Sequence, residues 1–285
     1  MKIIKAQNLA CPLDGYRLIP DEKQLCCESG HSFDIARQGY VNLLLVQSKR
    51  SKHPGDSKEM VIARTEFLNT GVYQRIAKRL AELTLLYCEG DEDVCLLDAG
   101  CGEGYYSDFV CKELMESESN RVFSFIGMDI SKPAIVASAK RNRNIDWIVG
   151  TNRQPPIEDN SVDIILCVFG FHSMEGFSKI LKPNGVIILV EPGADHLTEL
   201  KEIIYADNKK AKSKEDSVAN NNFSLRDSHV LQFKTAYLNN KQINNLLLMT
   251  PHLFRATKQG KESASLLERL EISVDVVFNI LQIKQ

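Results

Sequence analysis

Residues 94–104 read Val-Cys-Leu-Leu-Asp-Ala-Gly-Cys-Gly-Glu-Gly, and this stretch decides the fold. The apolar run predicts a buried strand, and the alternating glycines predict a tight turn that opens the next helix. Glycine has no Cβ and tolerates positive φ, so it allows both a sharp turn and close approach of a ligand. A strand that ends in Asp and leads into such a turn is typical of an α/β fold that binds a nucleotide-like cofactor.

The glycines Gly100, Gly102 and Gly104 have the spacing Gly-x-Gly-x-Gly, which differs from the Gly-x-Gly-x-x-Gly of dinucleotide-binding folds. With Asp98, this turn resembles motif I of the S-adenosylmethionine (SAM)-dependent methyltransferases. Asp129 ends the next apolar run, where a carboxylate can accept hydrogen bonds from two ribose hydroxyls. The two motifs in this order predict a SAM site. A dinucleotide enzyme and a non-catalytic relic of the same fold are the alternatives.

Strand-like and helix-like segments alternate on either side of this motif. Unbroken apolar strands are typical of parallel sheets that are covered on both faces. The pattern predicts an α/β fold, a doubly wound sheet of the class I (Rossmann-like) methyltransferase type. We expect strands at 94–97, 122–128, 145–149, 162–168 and 186–190, helices at 60–87, 105–115, 132–141 and 174–181, and an antiparallel final strand at 271–281.

Composition limits where such a chain can work. The chain has 285 residues, which suffices for one medium domain and a small one. Its longest apolar runs fall well short of the roughly 20 residues that span a bilayer, and its N-terminus lacks a signal-peptide pattern. Eight cysteines without an export signal favour reduced thiols over a disulfide framework. We therefore expect a cytoplasmic protein with no membrane partner.

A group of metal-ligand residue types lies near the N-terminus. Cys11 and Asp14, followed by Cys27 and His31, have the spacing of a zinc ribbon, with two ligands on each of two turns. Asp14 stands where a second cysteine is usual, and its carboxylate keeps the charge of a thiolate but is a harder ligand. Cys26 is a further candidate beside Cys27. The alternative is a metal-free knuckle that is held by its own packing.

Several strings together resemble one family, the bacterial 23S ribosomal RNA (guanine-N1-)-methyltransferases, over nearly the whole chain. The strings are Cys11-Pro12, Cys27-x3-His31, His31-Ser32-Phe33-Asp34, Gly39-Tyr40-Val41-Asn42-Leu43-Leu44, Lys49-Arg50-Ser51, Pro54-Gly55-Asp56-Ser57, Asp98 to Tyr106, Glu191-Pro192-Gly193, His196-Leu197 and Met249-Thr250-Pro251. The part from the cysteine knuckle to Pro-Gly-Asp is highly specific, whereas motif I alone is not.

The resemblance implies a two-part fold, with an N-terminal zinc domain that helps to hold RNA and a C-terminal SAM domain. We expect the zinc-ribbon-like RNA-recognition domain at 1–45, a basic loop and helical linker at 46–90, and the methyltransferase domain at 91–285. The implied zinc ligands are Cys11, Cys27 and His31, with Asp14 at the fourth position. The implied SAM contacts are Tyr73, Gly102, Glu103 and His196. The resemblance also allows a homodimer.

Methylation of guanine N1 requires an unpaired or flipped base, because N1 is buried in a Watson–Crick pair. A base must also take the N1 proton. The candidates are Asp56, in an exposed Pro-Gly-Asp turn, and His172, after the fourth strand. The alternatives are an Asp that caps the following helix and a solvated His. Lys49, Arg50 and Lys52 are expected to contact RNA phosphates, the alternative being an ordinary solvated basic run.

Two other functions compete with this interpretation. A methyltransferase that acts on a small molecule, such as a quinone precursor, explains motif I equally well but leaves the cysteine knuckle and the basic loop unexplained. A non-catalytic zinc-ribbon RNA-binding protein with a vestigial SAM fold is the second. The intact Asp98, Gly100, Gly102 and Asp129 argue against it.

Overall fold

The computed structural model describes residues 1–48, 51–88, 93–117, 121–205, 222–250 and 257–284. In chain order the strands are β1 Lys2–Ile4, β2 Ile19–Asp21, β3 Gln24–Cys26, β4 Ser32–Asp34, β5 Tyr40–Asn42, β6 Val94–Ala99, β7 Val122–Asp129, β8 Asp146–Val149, β9 Val162–Val168, β10 Leu181–Pro192, β11 Phe223–Lys234, β12 Leu238–Asn239, β13 Arg269–Leu270 and β14 Ser273–Ile283. The described helices are α1 Lys58–Asn69, α2 Gln74–Tyr87, α3 Tyr105–Glu116, α4 Lys132–Arg141, α5 Met174–Ile180, α6 Thr198–Ile204, α7 Asn240–Met249 and α8 Lys258–Ser265, with a 3-10 turn at Val46–Ser48. None of these helices is long and apolar enough to cross a membrane.

One large mixed sheet organises the chain. Its strand order is β11-β14-β10-β9-β6-β7-β8-β5, and β1 also pairs with β7. All of its pairings are parallel except those of β14, which runs antiparallel to both β10 and β11. The predicted doubly wound sheet and its antiparallel final strand are thus confirmed. The strand order reverses between β6 and β9, and ligands of such sheets bind at the carboxyl ends of the strands at this point.

The predicted helix at 60–87 is wrong in one respect, because it is two helices. α1 ends at Asn69 and α2 begins at Gln74. Gly71 lies between them at φ 80°, a left-handed conformation that ends a helix. The apolar spacing resumes after this break, so the periodicity alone did not reveal it.

The core has two layers, one on each face of the sheet. On the first face, buried side chains of α2, α3 and α4 pack against alternate residues of β6 and β7, such as Leu96 and Phe125. On the second face, α5 is joined by the N-terminal segment, whose Leu9, Leu18 and Leu25 lie in one buried cluster with residues of β7 and β8. The small N-terminal part therefore covers sheet surface that would otherwise face solvent.

Both ends of the N-terminal segment are also paired with the large sheet. β1 pairs with β7, and β5 pairs with β8, both in parallel. Between them, β2, β3 and β4 form a separate three-stranded antiparallel sheet. The expected division of the chain at 45 and 90 stays a prediction, and both ends of the N-terminal segment are strands of the large sheet.

Trp147 in β8 packs directly beneath the glycine turn. Its ring occupies the space that a Cβ would need at Gly127, at 2.1 Å, and at Gly104, at 2.9 Å. Trp147 is 2% exposed, and its indole N–H donates to the carbonyl of Asn142 at 2.7 Å. Glycine at both positions therefore lets the ring support the cofactor turn from below.

We expect Gly127→Ala to destabilise the protein, because the new methyl group would overlap the Trp147 ring. The expected loss is about 1–3 kcal/mol in the free energy of unfolding, as for other overpacked cores. Urea denaturation measures it. Gly170→Ala is the matched control, since a Cβ there would meet its nearest neighbour at 3.4 Å, an ordinary contact. Equal losses in the two variants would contradict this account of Trp147.

Candidate functional site

Asp98 ends β6 with its side chain buried below the glycine turn. The residue is 1% exposed, and its Oδ2 accepts a hydrogen bond from the Ser107 hydroxyl at 2.5 Å. Oδ1 is buried and has no hydrogen-bond partner among the described residues. Burial raises the pKa of this carboxyl to about 7. A buried carboxylate oxygen without a donor is a costly arrangement that a cationic ligand relieves, so this position fits the positively charged SAM.

The glycine turn leaves open space above its first two glycines. Gly100 has a φ of 96°, and a Cβ there would meet nothing closer than 3.8 Å. A Cβ on Gly102 would meet only the Arg64 side chain, at 3.5 Å and beyond. Gly104, by contrast, begins α3 in a left-handed conformation against Trp147. The first two glycines thus form a cradle for a ligand, and the third packs against the core.

Asp129, at the end of β7, is joined directly to this turn. Its Oδ2 accepts from the Gly102 N–H at 3.0 Å, and its Oδ1 accepts from the Ser131 N–H at 2.7 Å. Burial raises the pKa of Asp129, and these two backbone hydrogen bonds oppose that rise. Each carboxylate oxygen has a second lone pair, which is the feature that a pair of ribose hydroxyls needs. The structure therefore brings Asp98 and Asp129 to the same edge of the sheet.

Aromatic rings from distant parts of the chain form a wall beside the turn. Tyr73 precedes α2, and its ring centroid lies 6.2 Å from that of His196. Phe169 follows β9 with a φ of 53° and stacks on His196, with 5.8 Å between centroids and 24° between planes. Tyr106 in α3 lies 6.5 Å from Phe169, and its buried hydroxyl has no partner among the described residues. The predicted pair Tyr73 and His196 is brought together, and Phe169 and Tyr106 join it without having been predicted as cofactor contacts.

Glu103 has a different environment from the other predicted cofactor residues. It is 1% exposed and forms an ion pair with Arg141. Arg141 also donates from Nε to the Glu103 carbonyl at 3.1 Å and from Nη1 to the Asn69 side chain at 3.1 Å. Burial raises the pKa of Glu103, against the opposing effect of Arg141. The carboxylate thus ties the start of α3 to α4, and its contact with SAM stays a prediction.

The Pro-Gly-Asp turn lies against the segment that follows Asp129. Gly55 has a φ of 79°, and a Cβ there would come within 2.9 Å of Ile130 and 2.8 Å of Ser131. The Ser131 hydroxyl also donates to the Asp56 carbonyl at 2.7 Å. Only glycine fits this close approach, so the turn packs against the residues that follow Asp129.

The Asp56 side chain forms an ion pair with Arg64 of α1. Ser57 caps the helix instead, because its hydroxyl accepts from the Met60 N–H at 3.3 Å. The alternative that Asp56 is the helix cap is therefore wrong. Arg64 lies within an ordinary helical stretch, and no local sequence pattern distinguishes it from other surface arginines.

The remaining predicted site residues are His172 and the three expected RNA contacts. His172 is partly exposed, and no hydrogen-bond partner of its ring is found within the described ranges. The neighbouring carbonyl of Phe171 accepts from Asn152 Nδ2 at 2.6 Å, and the same Nδ2 donates to the Ala99 carbonyl at 3.2 Å. This bridge holds the segment of His172 at the glycine turn. Lys52 is exposed, whereas Lys49 and Arg50 lie outside the described residues.

The four predicted metal ligands converge on one point. Their ligand atoms all lie within 4.8 Å of one another. His31 Nδ1 is 3.6 Å from Cys11 Sγ, 3.4 Å from Cys27 Sγ and 2.9 Å from Asp14 Oδ2. Cys27 Sγ is 3.4 Å from Asp14 Oδ2. Tetrahedral zinc with bonds of about 2.0–2.3 Å places its ligand atoms about 3.3–3.8 Å apart. The three distances that involve sulfur lie in this range, and the His31–Asp14 pair, at hydrogen-bond distance, would need to open by a few tenths of an ångström to admit the ion.

Two tight turns present these ligands. The Gly15 N–H donates to the Cys11 carbonyl at 2.8 Å, and the Gly30 N–H donates to the Cys27 carbonyl at 3.0 Å. Both glycines have positive φ, which closes each turn into a knuckle. Cys26 is not part of the group, because its Sγ lies 3.9 Å from Asp21 Oδ2 on the neighbouring strand.

Two family models match the chain, one on each part of this site. Residues 9–52 match the zinc-ribbon model described as "RlmA, N-terminal", and residues 97–189 match a methyltransferase domain. A Micromonospora griseorubida protein, provisionally named a 23S rRNA (guanine-N(1)-)-methyltransferase, is 34% identical over 68% of this chain and 68% of its own length. The chain belongs to the 23S rRNA (guanine-N1-)-methyltransferase family.

Two further relatives have names of the same class. The 23S rRNA (guanine(748)-N(1))-methyltransferase of Streptomyces fradiae is 33% identical over 67% of this chain and 66% of its own length. Bacillus subtilis YxjB, provisionally named a 23S rRNA (guanine-N(1)-)-methyltransferase, is 29% identical over 88% of each chain. This member of the family is a SAM-dependent rRNA methyltransferase with a Rossmann-like sheet and an N-terminal zinc ribbon.

We expect the purified protein to hold about one equivalent of zinc and Asp14→Cys to retain it, because cysteine restores a ligand of the same charge. Asp14→Ala removes one of four ligands and should lower the zinc content to well below half an equivalent. Inductively coupled plasma mass spectrometry of protein purified without chelators measures the content. Asp21→Ala is the matched control, since that carboxylate lies outside the ligand group. Full zinc occupancy in Asp14→Ala would show that Asp14 is not a ligand.

We expect the affinity for SAM to rise with pH between pH 6 and pH 7.5. The raised pKa of about 7 means that Asp98 is largely protonated at pH 6 in the free protein, and the cationic groups of SAM favour the ionised form. Proton linkage then predicts a gain of about eightfold over this interval. Because burial raises the pKa of Asp98 above its ordinary value of 3.8, the stability of the free protein should fall as the pH rises from about 4 to about 7.

Isothermal titration calorimetry at several pH values measures this dependence. Asp98→Asn serves as the comparison, because it removes the titrating group and should give an affinity that changes little with pH. The same slope in both proteins would assign the dependence to another group.

Proposed function

We propose that this chain transfers the methyl group of SAM to N1 of a guanine in a hairpin loop of 23S ribosomal RNA. The observation that carries the proposal is that the zinc-knuckle segment and the Pro-Gly-Asp turn both pack on the methyltransferase sheet. The knuckle segment packs on the second face of the methyltransferase sheet, and Gly55 packs against Ile130 and Ser131, directly after Asp129. A methyltransferase for a small molecule does not need this added surface, whereas an RNA loop requires contacts on either side of the target base.

A cleft of about 640 Å³ supports the path of the RNA. It lies between the zinc knuckle, at Cys11 to Gly15, and the loop after β8, at Thr151 and Gln154 to Asp159. Asn152, which bridges Ala99 and Phe171, stands in that same loop. A single-stranded segment that contacts the knuckle can therefore continue along the cleft to the glycine turn. Unstacked loop bases are the parts of RNA that proteins read most readily.

Methyl transfer depends mainly on the alignment of the reacting atoms. SAM supplies a methyl group on a sulfonium, and direct displacement needs the guanine N1, the methyl and the sulfur in line. The chain's contribution is to hold the target base, exclude water and accept the N1 proton. Asp56 and His172 are the proposed acceptors, because the segments that carry them border the cradle from opposite sides. Asp56 is held in one orientation by its ion pair with Arg64.

The proposed function also implies which partner the protein binds and in which cellular compartment it works. The partner is 23S ribosomal RNA, and the protein works in the cytoplasm where that RNA is assembled into ribosomes. A homodimer would enlarge the RNA-binding surface, and it stays a prediction that sedimentation of the purified protein can test.

The direct test compares 23S RNA from strains with and without the gene. We expect loss of one N1-methylguanine, seen by mass spectrometry of RNA fragments and as loss of a stop in primer extension, because an N1-methyl group blocks base pairing. The purified protein with SAM should restore the mark on RNA from the deletion strain. Unchanged methylation at every N1-guanine position would refute the proposed target.

We expect the triple variant Lys49→Ala, Arg50→Ala, Lys52→Ala to raise the KM for RNA and to leave the affinity for SAM unchanged. Loss of phosphate contacts should also reduce the slope of log affinity against log salt by about 0.7 for each contact with single-stranded RNA. Filter binding over a salt series measures both quantities. The triple variant of the exposed Lys78, Lys179 and Lys258 to Ala is the control. An equal effect of the two triple variants would indicate a general charge effect rather than a binding site.

A further inference from the structure

Arg64 of α1 joins three segments that are distant in sequence. Its guanidinium forms an ion pair with Asp56 in the Pro-Gly-Asp turn, and its Nη2 donates to the Met249 carbonyl at the end of α7, at 2.9 Å. Its Nη1 lies 3.5 Å from the position that a Cβ on Gly102 would take. The side chain is 22% exposed, so the guanidinium lies over the glycine turn in a partly closed crevice.

The charges around this crevice are mostly negative. Asp98 and Asp129 lie at the ends of β6 and β7, and Glu103 lies within the turn. Burial raises the pKa values of Asp129 and Glu103, and the positive charge of Arg64 counts among the influences that lower them. Arg64 therefore acts electrostatically on the same carboxylates that border the cofactor cradle.

SAM carries two positive groups, the sulfonium and the ammonium, and one negative group, the α-carboxylate of its methionine part. The carboxylates of the crevice suit the two cations, but they repel the α-carboxylate. A cofactor that is bound at this acidic edge therefore needs a cationic donor for its one anionic group.

A second guanidinium near the turn, that of Arg141, already makes hydrogen bonds to other residues of the protein. Arg141 donates to the side chain and to the carbonyl of Glu103, and both of its Nη atoms donate to Asn69. Arg64 makes two hydrogen bonds to described residues, from Nη1 and from Nη2. A guanidinium has five N–H groups, so three of those of Arg64 remain for a ligand.

We propose that Arg64 binds the α-carboxylate of SAM, and that Asp56 and the Met249 carbonyl position its guanidinium for this contact. The planar fork of arginine matches a carboxylate with two parallel hydrogen bonds. This inference rests on SAM as the cofactor and not on the identity of the RNA target. It can therefore fail or succeed independently of the proposed guanine methylation.

The test compares SAM with ligands that keep or lack the α-carboxylate. Calorimetry gives the Kd of SAM, of S-adenosylhomocysteine, which keeps the carboxylate, and of decarboxylated SAM, which lacks it. In the unaltered protein we expect SAM to bind more tightly than decarboxylated SAM by about 10- to 100-fold, as for a hydrogen-bonded charge. In Arg64→Gln, SAM and S-adenosylhomocysteine should weaken by a similar factor, while decarboxylated SAM should bind as before.

A role of Arg64 in folding alone predicts a different result, because all three ligands would then weaken together. That outcome, or an unaltered protein that does not distinguish SAM from decarboxylated SAM, would overturn the proposal. Arg79→Gln is the matched control, since this arginine pairs with Glu82 on the surface of α2. It should leave all three Kd values unchanged.

Arg64→Lys provides a second variant in case Arg64→Gln does not fold. Lysine keeps the positive charge but loses the fork, so the preference for SAM over decarboxylated SAM should fall by about threefold or more. An unchanged preference in a folded Arg64→Lys protein would show that the guanidinium does not hold the carboxylate. Asp56→Asn should lower the same preference by a smaller factor, because it only releases the guanidinium from one positioning contact.

Discussion

The carboxylate of Asp129 holds the functional end of the molecule together. It accepts the N–H of Gly102 from the glycine turn and the N–H of Ser131 from the start of α4. Ser131 in turn donates to the carbonyl of Asp56 and packs against Gly55. One half-buried acidic side chain thus connects the glycine turn with the Pro-Gly-Asp turn. Because both connections are short, movement of either turn would be transmitted to the other.

The N-terminal segment, which carries the zinc knuckle, is joined to the large sheet by strand pairing and by packing. β1 and β5 pair with strands of that sheet, and Leu9, Leu18 and Leu25 lie in its second core layer. The knuckle segment is therefore connected to the large sheet both through its ends and through its buried side chains. Cys11 and Asp14 also line the cleft beside the loop after β8, so zinc binding would affect the shape of that cleft.

Local patterns predicted the sheet and the cofactor edge well. Unbroken apolar runs identified β6, β7 and β9, and the glycine spacing placed the turn, because these features depend on residues close in sequence. The break at Gly71 was missed because the apolar period continues on both sides of it. The roles of Arg64, Tyr106 and Trp147 were also missed. Each depends on contacts between segments far apart in the chain, which no local pattern records.

Two buried polar groups near the glycine turn link the stability of the free protein to its binding of the cofactor. Asp98 Oδ1 and the Tyr106 hydroxyl are both buried without a partner among the described residues. Such groups cost folding free energy, which the rest of the core must offset. A ligand that supplies the missing donors removes this cost only when it is bound, so the same arrangement that weakens the free protein strengthens its complex with the cofactor. The buried polar groups at this edge of the sheet therefore obtain their missing partners when the cationic cofactor binds.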